Sequence, residues 1–390
     1  MIILPKYVNE IISTLEKNGY DAYAVGGCIR DLLLGKTPLD YDVTTNCPPE
    51  ITAKLFKKTV LTGIKHGTVT VVTNEGNIEI TTFRTDGGYI NNRKPKTVEF
   101  HTNLKQDLTR RDFTINAMCY NKKSGLIDDF CGINDLENKL IKTVGTPEKR
   151  FNEDALRILR ALRFSSVLNF NIEENTLNAM YKKAYLLSNI SRERIFSEIS
   201  KTLLGNRPEK LEEFINLGNL EFLNINNAKN LKLINKLPKK INIRLFMFCI
   251  LCNINIEVFC TNLKLNNSLR QYLKTMKLLN DFKGNFLKEN IKKMLNLSNK
   301  ETTLDYIIFY ENYFNIPQNN TIITLNNIIK NNEPFKTSML NITGSDIKKL
   351  GYSGKKIGEI LNFLLNECIK NPDLNTYPKL CDIINKFKSN

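Results

Sequence analysis

Histidine is almost absent from this chain: there are two, His66 and His101, in 390 residues. That excludes zinc sites built on histidine pairs. Nine cysteines are present, but their spacings do not resemble a secreted disulfide framework, and no signal peptide is read ahead of the first helix. Cys249-Ile250-Leu251-Cys252 is a lone CxxC inside an apolar run, with no second pair at metal-binding spacing. It reads as a buried helix carrying small apolar thiols. No apolar stretch approaches the roughly 20 residues that a membrane-spanning helix needs. These absences together predict a reducing, aqueous, cytoplasmic setting and no membrane partner.

Positive charge, by contrast, is abundant and unevenly placed. The formal net charge is +16. Residues 1–150 hold 21 Lys and Arg against 18 Asp and Glu, while the remaining 240 residues hold 35 against 22. A near-neutral first part and a basic remainder imply a polyanion held mainly by the C-terminal part, and nucleic acid is the obvious one.

The pattern of residues changes at the same place. Residues 2–17 read as an amphipathic helix, 21–25 as a strand, 28–34 as a helix and 39–44 as a second strand. Pro48-Pro49 opens another helix, and two β-rich runs, 67–73 and 77–83, flank Asn74-Glu75-Gly76, a hairpin signal. Residues 84–98 are polar, contain glycine and lack periodicity, which predicts a long loop beside the site. From residue 152 onward helical periodicity dominates. The fold class expected is an α/β N-terminal head with a mixed sheet, followed by an elongated all-α C-terminal part.

Three constellations carry chemistry. In the first, Tyr23-Ala24-Val25 runs into Gly26-Gly27 and then a helix bearing Arg30, an arrangement whose turn amides suit phosphate. In the second, Asp40 and Asp42 stand one residue apart on the predicted strand, so their carboxylates share a face. Glu79, on a neighbouring strand, is a third possible carboxylate. Paired carboxylates beside a phosphate cradle suit Mg²⁺, which takes the rest of its shell from water and phosphate oxygens. The third constellation is residues 153–164, where Ala155, Leu156, Ile158, Leu159, Ala161 and Leu162 form a broad apolar helix side. Asp154, Arg157, Arg160 and Arg163 recur every three residues along it, so Asp154 and Arg157 are expected as helical neighbours. Each constellation alone also has an ordinary structural reading: a tight turn, a solvated strand end, a salt-bridged helix surface.

Taken in order, Gly-Gly-x-x-Arg-Asp, Asp-x-Asp, Arg110-Arg111-Asp112-Phe113-Thr114-Ile115-Asn116-Ala117-Met118 and Glu153-Asp154-Ala155-Leu156-Arg157 closely resemble the bacterial class II tRNA nucleotidyltransferases, the CCA-adding enzymes related to bacterial poly(A) polymerase. Ser191-Arg192-Glu193-Arg194-Ile195 resembles the family's helical neck, and Asn341-Ile342-Thr343-Gly344-Ser345-Asp346 with Gly358 and Leu361 its tail. The resemblance implies a nucleotidyltransferase head over 1–150, a neck with a nucleobase template over 151–208, a helical body over 209–335 and a tRNA-binding tail over 336–390. It implies Mg²⁺ on Asp40 and Asp42. Gly27, Arg30, Arg111, Asp112, Asn116, Arg160 and Arg163 are then expected around the nucleotide, with Asp154 and Arg157 reading the base. Asp86, Tyr89, Arg93 and Pro95 would belong to a flexible loop serving ATP incorporation, which argues against an enzyme adding only C. The expected partners are CTP, ATP and the acceptor and T arms of tRNA, with the chain a monomer or homodimer. An enzyme adding only A, a poly(A) polymerase and a non-catalytic RNA-binding protein are the alternatives.

Overall fold

A computed structural model describes residues 2–90 and 94–388. The chain divides into two compact units, Met1–Lys229 and Asn230–Asn390.

The first unit opens with α1 (Lys6–Lys17), β1 (Ala22–Val25), α2 (Gly27–Leu33), β2 (Asp42–Thr45) and α3 (Pro49–Leu55). Strands β3 (Thr59–Val60), β4 (Thr68–Val72), β5 (Asn77–Thr82), β6 (Arg84–Ile90) and β7 (Lys94–Phe100) follow. After α4 (Leu104–Thr109) come β8 (Cys119–Asn121), β9 (Gly125–Ile127), α5 (Gly132–Glu137) and β10 (Leu140–Ile141). The unit continues through α6 (Pro147–Glu153), α7 (Leu156–Leu168), β11 (Asn171–Ile172), α8 (Glu174–Lys183), α9 (Arg192–Leu203) and α10 (Lys210–Asn216).

Seven strands form one sheet in the order β3-β4-β5-β2-β1-β8-β9, in which only β2 and β5 run parallel. All of β1 is buried because the sheet is covered on both faces. Ala22 and Ala24 join Val8, Ile11 and Leu15 of α1 and Val43, Ile78 and Ile80 on one face. Tyr23 and Val25 join Phe83, Leu108 and Cys119 on the other. Further along the chain, the short parallel pair β10–β11 fastens the sequence before α6 to the sequence after α7.

Two expectations change here. The aspartate strand starts at Asp42, and Asp40 lies just ahead of it. Its partner β1 ends where Val25 faces Asp42, and the chain then turns away at Gly26, so Asp40 has no strand to pair with on that side. Of residues 84–98, expected as a loop, 84–90 and 94–98 lie in the paired antiparallel strands β6 and β7. Most of their describable side chains are exposed or half-buried, so neither face imposes the apolar alternation by which strands are recognised. Arg93 lies outside the described residues, and for Asp86, Tyr89 and Pro95 only the backbone pairing is described: Asp86 opposite Val98 and Tyr89 opposite Pro95.

The second unit is helical: α11 (Ile241–Leu251), α12 (Ile256–Asn262), α13 (Asn267–Asn280), α14 (Lys288–Leu297), α15 (Lys300–Phe314), α16 (Asn319–Lys330), α17 (Gly344–Lys349), α18 (Lys355–Lys370) and α19 (Tyr377–Lys388). Cys249 and Cys252 are buried in and just beyond α11, as the apolar run predicts. Among the described residues no single helix is long and apolar enough to cross a membrane.

Candidate functional site

The site gathers on the sheet face that carries Tyr23 and Val25, where β1 ends and β2 begins. Gly26 has φ +84°, a conformation that costs a residue with a Cβ. A Cβ there would also come within 3.2 Å of Arg111 Nη1. The backbone conformation is what favours glycine here, and a side chain would also have to displace the Arg111 guanidinium slightly. The Gly26 amide donates to the Met118 carbonyl at 3.1 Å. That amide therefore does not face outward as a phosphate donor, which leaves the amides that begin α2 and the arginines around the turn as the groups that could meet an anion.

Asp42 pairs in register with Glu79 across the parallel β2–β5 ladder, and Asp40 precedes it. Asp42 is open to solvent on one side but crowded by protein on the others. That crowding raises its carboxyl to about 6; Arg111 opposes the rise, and the negative charges of Asp40 and Glu79 add to it. Such an excess of negative charge on oxygen donors fits a hard divalent cation. No group of three or more His, Cys, Asp or Glu among the described residues is arranged to hold a metal ion. Asp40, Asp42 and Glu79 are therefore not a closed ligand set, and a Mg²⁺ ion held there would take the rest of its shell from water and phosphate oxygens.

Behind this face lies Asp107, which is fully buried on α4. Its Oδ1 accepts from Arg110 Nη2 at 2.7 Å and from the Arg84 amide at 3.3 Å. Its Oδ2 accepts from Thr44 Oγ1 at 3.1 Å and from Arg111 Nη2 at 3.4 Å. Burial alone would raise this carboxyl, but Arg110 and Arg111 hold it below the usual range. One acid thus ties the root of the hairpin, the strand of Asp42 and Arg111 together. Arg111 Nε is buried with no hydrogen-bond partner, an orphan donor of the kind a ligand satisfies.

A second chain of hydrogen bonds runs beside it. Arg30 Nη1 donates to Asn116 Oδ1 at 2.7 Å, and Asn116 Nδ2 donates to Asp112 Oδ1 at 3.1 Å. Arg160 donates from Nε and Nη2 to Asp112 Oδ2 at 2.8 and 2.6 Å. Burial opposes ionisation of Asp112, yet Arg160, the Asn116 hydrogen bond and Arg157 hold its carboxyl far below the usual range. Arg163 pairs with the buried Glu198 of α9 at 2.9 Å.

The residues expected to read a base are close in sequence but not as a helical pair. Asp154 has φ −138° and ψ 102°, which ends α6, and α7 starts only at Leu156. The two short helices meet at this extended residue, so the three-residue spacing does not place Asp154 on the face of Arg157. Instead, Asp154 Oδ1 accepts from the Leu156 amide at 3.1 Å and Oδ2 from Arg194 Nη2 at 3.0 Å. Arg157 Nη1 donates to Glu153 Oε2 at 2.9 Å, and Nη2 donates to the Arg110 carbonyl at 2.7 Å. Each group is held by partners and keeps hydrogen-bonding capacity beyond them: lone pairs on both Asp154 oxygens, and N–H groups on Arg157.

The fold therefore brings Gly27, Arg30, Asp40, Asp42, Glu79, Arg111, Asp112, Asn116, Asp154, Arg157, Arg160 and Arg163 into one unit. Asp112, Asn116 and Arg160 bond to one another and to Arg30, so part of what reads in sequence as a set of ligand contacts is a scaffold. Asp107, Glu153, Arg194 and Glu198 were not singled out as site residues. Asp107 has a signal, since it precedes Arg110 and Arg111 by three and four residues at the end of a helix. The partners of Glu198 and Arg194 are tertiary.

Comparison with known proteins defines first the class. Residues 22–142 match the family described as "Poly A polymerase head domain" and residues 169–225 the one described as "Probable RNA and SrmB- binding site of polymerase A". The CCA-adding enzyme of Ligilactobacillus salivarius is 37% identical over 381 residues, 92% of this chain and 91% of that protein. That of Streptococcus gordonii is 48% identical over 224 residues, and there the chain spans about half the length of the relative, 56%. Among solved structures, the Bacillus stearothermophilus CCA-adding enzyme in complex with CTP superposes with a TM-score of 0.86 at 28% identity, covering 99% of this chain and 100% of the other. This chain belongs to the CCA-adding enzyme family.

Proposed function

We propose that this chain is a CTP/ATP:tRNA nucleotidyltransferase that adds C, C and A to the 3′ end of tRNA without a nucleic-acid template and releases pyrophosphate at each step. The observation that carries this reading is the convergence of Asp40 and Asp42 with the unpartnered buried donor of Arg111, in the same unit as Asp154 and Arg157. Family membership and the CTP named with the Bacillus relative support it.

In this reading Asp40 and Asp42 hold Mg²⁺, which when bound neutralises phosphate charge and makes the tRNA 3′-hydroxyl more acidic. Glu79 adds negative potential beside them. Arg30, Arg111, Arg160 and Arg163 orient the triphosphate, with Gly27 beside Arg30 at the start of α2 and with Asp112 and Asn116 fixing the guanidiniums. Asp154 and Arg157 select the base. Cytosine and adenine each present an amino donor beside a ring-nitrogen acceptor, which a carboxylate and a guanidinium complement. Uracil and guanine present a carbonyl and an N–H there, so like would face like. The head, residues 1–150, carries the chemistry, and the neck, 151–208, carries the template. The basic body and tail, 209–335 and 336–390, grip the acceptor and T arms through phosphates. The work is that of a cytoplasmic enzyme.

The test is incubation with tRNA lacking its 3′ end. CTP alone should give two additions, with ATP following only after them. Incorporation of A without C would favour an A-adding enzyme, and long A tails on unrelated RNA a poly(A) polymerase. No incorporation of either nucleotide would sink the catalytic reading. The template assignment has its own check. Arg157→Ala should lower the CTP-over-UTP preference by about tenfold or more while leaving tRNA affinity nearly unchanged. Intact discrimination in that variant would remove Arg157 from the role.

A further inference from the structure

Three of the arginines at the site share a feature that their acids do not explain. Arg30, Arg160 and Arg163 all approach the ring of Phe164, with guanidinium carbons 5.1, 5.4 and 4.3 Å from its centroid. Arg160 and Arg163 come from the same helix as Phe164, but Arg30 comes from α2, more than a hundred residues earlier in the chain. Each also has a partner of its own: Asp31 at 2.8 Å for Arg30, Asp112 at 2.6 Å for Arg160 and Glu198 at 2.9 Å for Arg163. Those acids neutralise the cations, and Asp112 and Glu198 each act on both Arg160 and Arg163. Phe164 is the one contact common to all three, and it is buried, with 7% of its surface exposed.

The ring is itself fixed. Phe113, fully buried, meets it edge-on with centroids 5.6 Å apart and an interplanar angle of 83°. The stretch that supplies Phe113 also supplies Asp112 to Arg160 and Asn116 to Arg30. One short segment therefore sets the ring and two of the three cations together. Three guanidiniums this close repel one another; in keeping with that, burial lowers the proton affinity of Arg163 and the charges of Arg160 and Arg30 lower it further. The negative potential of an aromatic face offsets such repulsion, and a buried face does so more effectively than an exposed one.

We infer that Phe164 is a positioning residue that gathers Arg30, Arg160 and Arg163 into a single clamp for the triphosphate of the incoming nucleotide. This rests on the nucleotidyltransferase reading for the identity of the nucleotide, but not for the anion. The clamp contacts the part of CTP and ATP that is the same, so its loss affects both nucleotides alike and leaves base choice to Asp154 and Arg157.

The experiment compares wild type, Phe164→Leu and Phe164→Tyr. It measures binding of inorganic tripolyphosphate by calorimetry, and KM, kcat and CTP-over-UTP preference with tRNA lacking its 3′ end. Phe164→Leu keeps an apolar side chain and removes the ring. It should weaken tripolyphosphate and raise KM for CTP and ATP together, each by about tenfold. Base preference should stay within about twofold of wild type. Phe164→Tyr keeps the ring and should retain tripolyphosphate affinity within about threefold of wild type. Unchanged tripolyphosphate binding in Phe164→Leu overturns the inference. So does equal weakening in Leu and Tyr variants that melt at the same temperature as wild type, because the ring would then not matter. If the wild-type chain binds tripolyphosphate and loses it in Phe164→Leu but adds no C to tRNA, the clamp stands and the proposed function fails.

Discussion

The two units bury charge in opposite ways. In Met1–Lys229 the buried or half-buried ionic groups form chains that lead to an open face: Arg84 amide to Asp107 to Arg111, or Arg160 to Asp112 to Asn116 to Arg30. Along these chains are a donor with no protein partner, Arg111 Nε, and, beside Arg111, an acid raised to about 6, Asp42. In Asn230–Asn390 the two most deeply buried cations, Arg244 and Lys292, close on the surrounding structure. Arg244 donates to the carbonyls of Leu237 and Pro238 at 2.9 and 3.0 Å. Lys292, fully buried on α14, pairs with Glu333 at 2.8 Å and donates to the Ile369 carbonyl at 3.1 Å, joining α14 to the end of α18. Burial of charge is therefore no mark of function by itself. What sets the site apart is the two together: an unsatisfied donor, Arg111 Nε, beside an acid crowded by like charge, Asp42, that solvent can reach.

The largest test of this contrast is Asp42→Asn. It should lower incorporation of both C and A by about a thousandfold without lowering Tm, since it removes a crowded negative charge. A loss of Tm as large as that of a core substitution would mean that Asp42 belongs with the structural charges. Next comes Lys292→Met. It removes one of the two cations facing Glu333 and should cost about 3 kcal/mol in chemical denaturation, with KM for CTP unchanged while the protein is folded. A selective rise in that KM would break the contrast from the other side.

The smallest effect expected is in acid stability. Asp112 is held far below its ordinary value, so its contribution is fully present above about pH 4 and is lost as pH falls toward its folded value. Asp112→Asn should cost about 2 kcal/mol at pH 7 and flatten the fall in stability below about pH 4. Parallel wild-type and variant curves through that range would show that the Arg160 pair contributes nothing through ionisation.

Much of the first unit was legible in the chain. The Gly26 turn, the buried strand before it, the β4–β5 hairpin and the apolar side of α7 follow from spacing and residue type, because each is local. The errors also share a cause. Asp40 missed the strand because strand length is decided by a partner, and β1 stops at Val25. Asp154 missed the helix because one continuous spacing was read across a junction between two helices. The hairpin β6–β7 passed for a loop because periodicity signals a buried face, and most of its described side chains are not buried. The three cations around Phe164 come from two helices 126 residues or more apart at Arg30 and α7, and no spacing encodes that meeting.

Asp107 has one more consequence. Its carboxylate is a shared resource: the amide at the root of the hairpin, the hydroxyl of Thr44 and the guanidinium of Arg111 all draw on the same two oxygens. Donors that share an acceptor are thermodynamically linked, and linkage is reciprocal. The hairpin root is held by Oδ1 and Arg111 by Oδ2 of one carboxylate, so a ligand that changes the pull of Arg111 on Asp107 changes the hold on the root, and a shift of the root changes the hold on Arg111 by the same free energy. Occupancy of the site and the setting of the hairpin are in this sense one equilibrium seen from two ends.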